Sequence, residues 1–138
     1  MLPDSKAIAI TLLALGLPSD VLVSSKTPAG STLTGARVVR VLRIGGTADM
    51  RGWGDPASRD RPRFSVDCYA PTEEAAMRLA QQVCSIWELL PGQVTDTGEV
   101  TGVSQETGPQ DRPEEPNTGV ARVGMTLGMS VRPPRISS

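Results

Sequence analysis

RFSVDCYAPTEEAAMRLAQQV, residues Arg63 to Val83, crowds an aspartate, a cysteine, a tyrosine, a threonine and two glutamates into one short span. A cysteine beside carboxylates can belong to a nucleophile or to a metal site. The same letters can also spell a strand that turns into a helix, and periodicity separates these readings. Phe64, Val66, Cys68 and Ala70 alternate with Arg63, Ser65, Asp67 and Tyr69, the period of a half-buried strand. Cys68 then goes to the apolar face, as a small hydrophobe. Asp67 goes to the opposite, solvated face. Pro71 and Thr72 end the strand. Thr72 suits an N-cap, and Glu73 and Glu74 fall in the first turn, where the helix end is partially positive. Ala76, Leu79, Ala80, Val83, Trp87 and Leu90 recur at helical spacing, with Arg78, Gln81, Gln82, Ser85 and Glu88 opposite and Cys84 at the edge. Pro91-Gly92 closes the helix.

The clearest strand is the last. Val123, Met125, Leu127, Met129 and Val131 alternate with Arg122, Gly124, Thr126, Gly128 and Ser130, and the two glycines allow close approach of another group. Upstream lies ARVVRVLRIGG, Ala36 to Gly46. Val38, Arg40, Leu42 and Ile44 face one way, and Arg37, Val39, Val41 and Arg43 the other. Both faces mix arginine with apolar residues, so this strand is either covered on both sides or meets another chain through its arginines. Val21 to Ser24 and about Val100 to Gln105 read as further strands.

At the start, Asp4 or Ser5 caps a helix to about Leu15, stopped by Gly16 and Pro18. Ile8, Thr11, Leu12 and Leu15 share one face, with Ile10 and Leu13 on the other. Burial on both sides is expected, in the chain's own core or against a second subunit. The apolar run Ala7 to Leu17 is too short to span a bilayer. It also lacks the basic lead and cleavage site of a signal peptide. The order α-β-β-β-α-β-β predicts a single α/β (α+β) domain over residues 1–138. Two helices pack on a mixed, mostly antiparallel sheet of four or five strands. Long loops are expected at about 46–62 and 107–119, and a loose tail at 133–138.

Composition narrows the function. The chain has 138 residues, net charge −1, 3% aromatic residues and no histidine. That length fits one ordinary domain, and the charge gives no general pull toward nucleic acid or anionic membrane. Lacking histidine, the chain lacks the usual general base, the Ser-His and Cys-His pairs and the commonest zinc ligand. Cys68 and Cys84 have no CxxC spacing and read as free thiols. No phosphate-loop, dinucleotide, nucleophile-elbow or EF-hand pattern occurs. Asp67 with Glu73 or Glu74 is the remaining acid pair, and a solvated strand face with helix-capping acids accounts for it. No cofactor, metal or catalytic residue is expected, and the chain is expected not to be an enzyme. The candidate contact residues are Arg37, Arg40 and Arg43, together with Trp53, flanked by glycines in the first long loop. Trp53 is either an interface anchor or a local plug.

Taken in order, VSSKTP, ARVVRVLRIGG, FSVDCYAPTEEAAMRLAQQV and the segment from VTGVSQETGPQD to SVRP resemble the tail-terminator (tail-completion) proteins of long-tailed bacteriophages. The resemblance runs from about Leu12 to Pro133. It lies in a strand ending Arg-x-Gly-Gly, the A-x-T-E-x-x-A opening of a helix, a Gly-Pro turn and a last strand ending Val-Arg. Tyr69 stands where a tryptophan is common. The resemblance implies a structural virion protein at the neck, assembled in the host cytoplasm. It implies a homo-oligomer, a hexameric ring, that caps the tail tube protein, ends tube polymerisation and meets the head-completion or connector protein. DNA would pass through its lumen without sequence-specific binding. Another neck protein, a head-completion or stopper ring, is the alternative. A small enzyme without histidine and a monomeric binding module are more distant ones.

Overall fold

A computed structural model of the chain describes residues 4–25, 37–49, 59–111 and 121–133. The elements are α1 (Ser5–Gly16), β1 (Val21–Ser24), β2 (Arg37–Asp49), β3 (Arg59–Ala70), α2 (Glu73–Glu88), β4 (Glu99–Asp111) and β5 (Ala121–Arg132). They follow the expected α-β-β-β-α-β-β order. The strands form one sheet in the order β1-β2-β3-β5-β4, so β3 is central and β1 and β4 are its edges. β1 runs parallel to β2, and the other neighbours are antiparallel.

The quoted stretch behaves as its period predicts. Phe64, Val66, Cys68 and Ala70 are fully buried in the core, against Ala76, Leu79, Ala80, Val83 and Trp87 of α2. Thr72 is the N-cap and accepts from the Ala75 backbone N–H, with Glu73 and Glu74 in the first turn. Trp87 anchors the helix. Its ring meets Phe64 edge-to-face, with centroids 6.0 Å apart, a favoured aromatic geometry. Its indole N–H donates to the Gly128 carbonyl at 2.9 Å.

Both expected long loops are partly strand. β2 and β3 stay paired out to Asp49 and Arg59, and the register shifts between Arg43 and Gly45. Gly45 and Gly46, both at positive φ, absorb a bulge there, and the hairpin continues beyond it. Gly46 also has a steric role: a Cβ there would lie 2.2 Å from the Arg61 carbonyl oxygen. In the same way β4 extends through Pro109 to Asp111, with several register shifts. An edge strand tolerates a proline because one side of it needs no ladder partner.

The first helix departs from expectation. Asp4 caps it, accepting from the Ala7 N–H. Its buried side is Ser5, Ile8, Ala9, Leu12 and Leu13, whereas Leu15 is 78% exposed. α1 is thus covered on one side only, by the sheet and by Ile86 of α2, which closes against Gly16. On β5, a Cβ at Gly128 would come 2.4 Å from Ser104 Oγ, the close approach expected of that glycine.

Two substitutions test these joints. Gly46→Ala, which meets backbone and is left at positive φ, should lower stability by about 2 kcal/mol or more in chemical denaturation. Trp87→Phe keeps most of the packing but removes the indole donor to the Gly128 carbonyl, and should cost about 1–3 kcal/mol.

Candidate functional site

The sheet face turned away from the helices carries the most concentrated charge chemistry. Asp67, on the central strand, is fully buried there rather than solvated. Arg40 pairs with it across β2, and its Nη2 donates to Oδ2 at 2.6 Å. Directly opposite on β5 is Gly124. With no side chain at that position, Arg122 reaches diagonally from two residues away, and its Nε donates to Oδ1 at 3.1 Å. Diagonal pairs of this kind lie within reach of long side chains. Tyr69, 2% exposed, stands beside them with the guanidinium carbons of Arg40 and Arg122 6.0 and 5.9 Å from its ring centre. That is cation–π range.

Burial pushes the Asp67 carboxyl up, but the hydrogen bonds and charges of Arg122 and Arg40 outweigh it and hold the pKa below its ordinary value. A carboxylate held this way is a weak base, so the arrangement favours a structural tie over proton transfer. Glu73 and Glu74 are exposed at the start of α2, an environment distinct from that of Asp67. Cys68 is buried, and burial pushes its thiol well up, so it stays protonated. The half-buried Cys84 is also pushed up by burial, and its thiol meets Met125 Sδ at 3.3 Å. Among the described residues no group of three or more His, Cys, Asp or Glu side chains is placed to hold a metal ion. No described helix is long and apolar enough to cross a membrane.

The candidate arginines do not converge. Arg37 grips both oxygens of exposed Asp20, at 2.9 and 2.7 Å. Arg43 makes a two-pronged pair with buried Asp60, at 2.7 and 2.8 Å. The Ser5 hydroxyl donates to the same carboxylate at 2.6 Å, tying α1 to the β2–β3 hairpin. Hydrogen bonding to Asp60 raises the Arg43 pKa against the opposing effect of burial. Arg40 belongs to Asp67, on the other face. Trp53 lies outside the described residues. Sequence reasoning missed Asp60, which fell inside an expected loop, and the partnership of Asp67 with Arg122. A signal for the second was present: an arginine and a glycine alternate on the polar face of the last strand.

Among the described residues, two depressions stand out. One, of about 430 Å³, lies at the far end of the open sheet face beside Arg61, Arg63, Ser104, Glu106, Gly128 and Ser130. The other, of about 620 Å³, lies between the end of α1 and the outer side of α2, beside Pro18, Arg78, Gln82 and Ile86.

No family model matches the sequence, and no curated protein matches it. A solved structure does. A chain from the virion of a native gene transfer agent (GTA) particle is similar over 91% of this chain and 85% of its own, at TM-score 0.51. At 16% sequence identity, the likeness is one of fold.

Removing one partner of a buried ion pair typically costs about 3–5 kcal/mol, so Asp67→Asn should destabilise by that order. Because the folded pKa of Asp67 is depressed, its contribution is complete above its ordinary value of 3.8 and is lost as pH falls through the lower folded value. Urea melts between about pH 2 and 6 should therefore show an acid-side loss of stability that is shallower in Asp67→Asn.

Proposed function

We propose that this protein is a structural virion component, a tail terminator that forms a ring on the end of a phage tail tube, stops its growth and joins the tail to the head connector. The observation that carries the reading is the fold shared along nearly the whole chain with a component of a gene transfer agent virion. The ordered motifs that resemble tail-terminator proteins, from the Arg-Ile-Gly-Gly strand to the closing Ser-Val-Arg, support the position at the tail end. The chemistry supports a role in assembly. Asp67 is fixed between two cations, and Cys68 is a buried, protonated thiol.

In this reading the work is shape and surface complementarity, with no bond made or broken. The chain acts as a homo-oligomer, a hexameric ring, between tail tube protein and connector, with DNA passing through the lumen. Arg37, Arg40, Arg43 and Trp53 are its candidate contacts. Arg43 is the most exposed of the described ones but is held by buried Asp60, whereas the partner of Arg37, Asp20, is 68% exposed. An exposed pair exchanges partners at little cost.

Electron microscopy of tails assembled without this protein tests the reading. Overlong, variable tails that fail to join heads are expected. Tails of normal length that join heads would reject it. Purified protein should also bind the ends of tail tubes, and binding to connectors alone would make it a stopper ring instead.

A further inference from the structure

Two surfaces of the chain, both outside the Asp67 cluster, are complementary to each other. The first is the depression at the end of the open sheet face. Arg61 and Arg63 alternate along β3 and so point to the same side, about 7 Å apart. Both are exposed and border that depression, with Pro62, Val103 and Gly128 in its lining. Arg63 shares its charge with Glu106 at 2.7 Å, in a pair that is half in solvent. Among the described residues Arg61 has no acidic partner.

The second surface is the short segment that leaves α2. Glu88 is the last residue of that helix, and the last turn holds no basic residue. A carboxylate there faces the negative end of the helix dipole, the wrong sign for the position. Two residues in the same segment are apolar and wet: Leu89 is 75% exposed and Val94 63% exposed. Asp96 follows, also exposed. Among the described residues neither Glu88 nor Asp96 has a cationic partner. The segment is nonetheless rigid. The Gln93 N–H donates to Leu90, Gly92 to Val100, Thr95 to Gly98 and Val100 to Gln93, all at backbone hydrogen-bond distances of 2.8 to 3.0 Å. A braced projection with an apolar tip and two unpaired acids is unfavourable in isolation and well prepared for binding, because little order remains to be imposed.

We infer that the Glu88–Asp96 projection of one copy seats in the Arg61–Arg63 depression of the next. Leu89 and Val94 supply the apolar contact. Glu88 and Asp96 meet Arg61 and Arg63 at its rim. The occupant is a second copy because both halves of the match, opposite in charge, stand on the same chain. A contact between two different patches of one chain propagates from copy to copy and closes when the rotation allows. The inference rests on the ring reading and names the surfaces that would build the ring.

Charge exchange tests it. Arg61→Glu with Arg63→Glu, and separately Glu88→Arg with Asp96→Arg, should each weaken self-association at least about tenfold in sedimentation equilibrium. Circular dichroism should show both variants folded. Equimolar mixing of the two variants should restore association in alternating copies, since the native projection of the first meets the native depression of the second and the two reversed surfaces attract each other in turn. Leu89→Ser should weaken association without salt dependence. Reversed variants that still form rings like the wild type, or that fail to recover on mixing, would overturn the inference while leaving the ring standing. A wild-type chain that stays monomeric in solution and on tail tubes overturns the ring reading itself. Loss of tube or DNA binding with intact rings would assign the depression to that partner instead.

Discussion

A carboxylate with no access to water must be held by cations, and the central strand is built around that demand. Asp67 and Cys68 are neighbours in β3, and both are fully buried on opposite faces. Cys68 needs only apolar neighbours, which α2 supplies. Asp67 needs two arginines, one from each flanking strand, and so fixes β2 and β5 against β3 on the side no helix covers. The register that delivers Arg40 and Arg122 to Asp67 also delivers Val39, Val41, Val123 and Met125 to the helix side. A slip of one residue would bury arginines in the core and send the valines outward. Buried ion pairs are weak sources of net stability, but they penalise wrong registers heavily.

The second buried acid does for the helix layer what Asp67 does for the sheet. Asp60 holds Arg43 of β2 and Ser5 of α1 together, just beyond the glycine bulge that extends the hairpin. The arginines that looked like contacts for another chain are thus largely engaged by this one. Among the described residues, Arg61 at the sheet end and Glu88 and Asp96 after α2 have no partner of opposite charge. This division fits a protein whose work is done by surfaces: the buried acids set the frame, and the frame positions residues such as Arg61 and Glu88 at its margins.

The A-x-T-E-x-x-A joint and the alternating last strand were legible because their signals are local. Period two, period 3.6, a threonine cap and first-turn acids each depend on residues a few positions apart. Asp67 was not legible as a buried group, since a lone acid on the polar side of a strand is ordinarily solvated. Its burial depends on Gly124 being empty and Arg122 being two residues away on a strand more than fifty positions later. The two long loops were misjudged at their edges for a related reason. Gly45, Gly46 and Pro109 break regular structure in isolation, but a bulge or an edge position accommodates them once partner strands are present.

By itself, then, the sequence determined the element order, the apolar faces of β3, β5 and α2, and the lack of any histidine-based chemistry. These follow from short-range periodicity and from composition. Only the tertiary structure decided which side of α1 is buried and how far the hairpins run. It also decided which acid Arg37, Arg40, Arg43 and Arg122 each serve. Those depend on who stands across the sheet, and strand register is a long-range property that no local window contains.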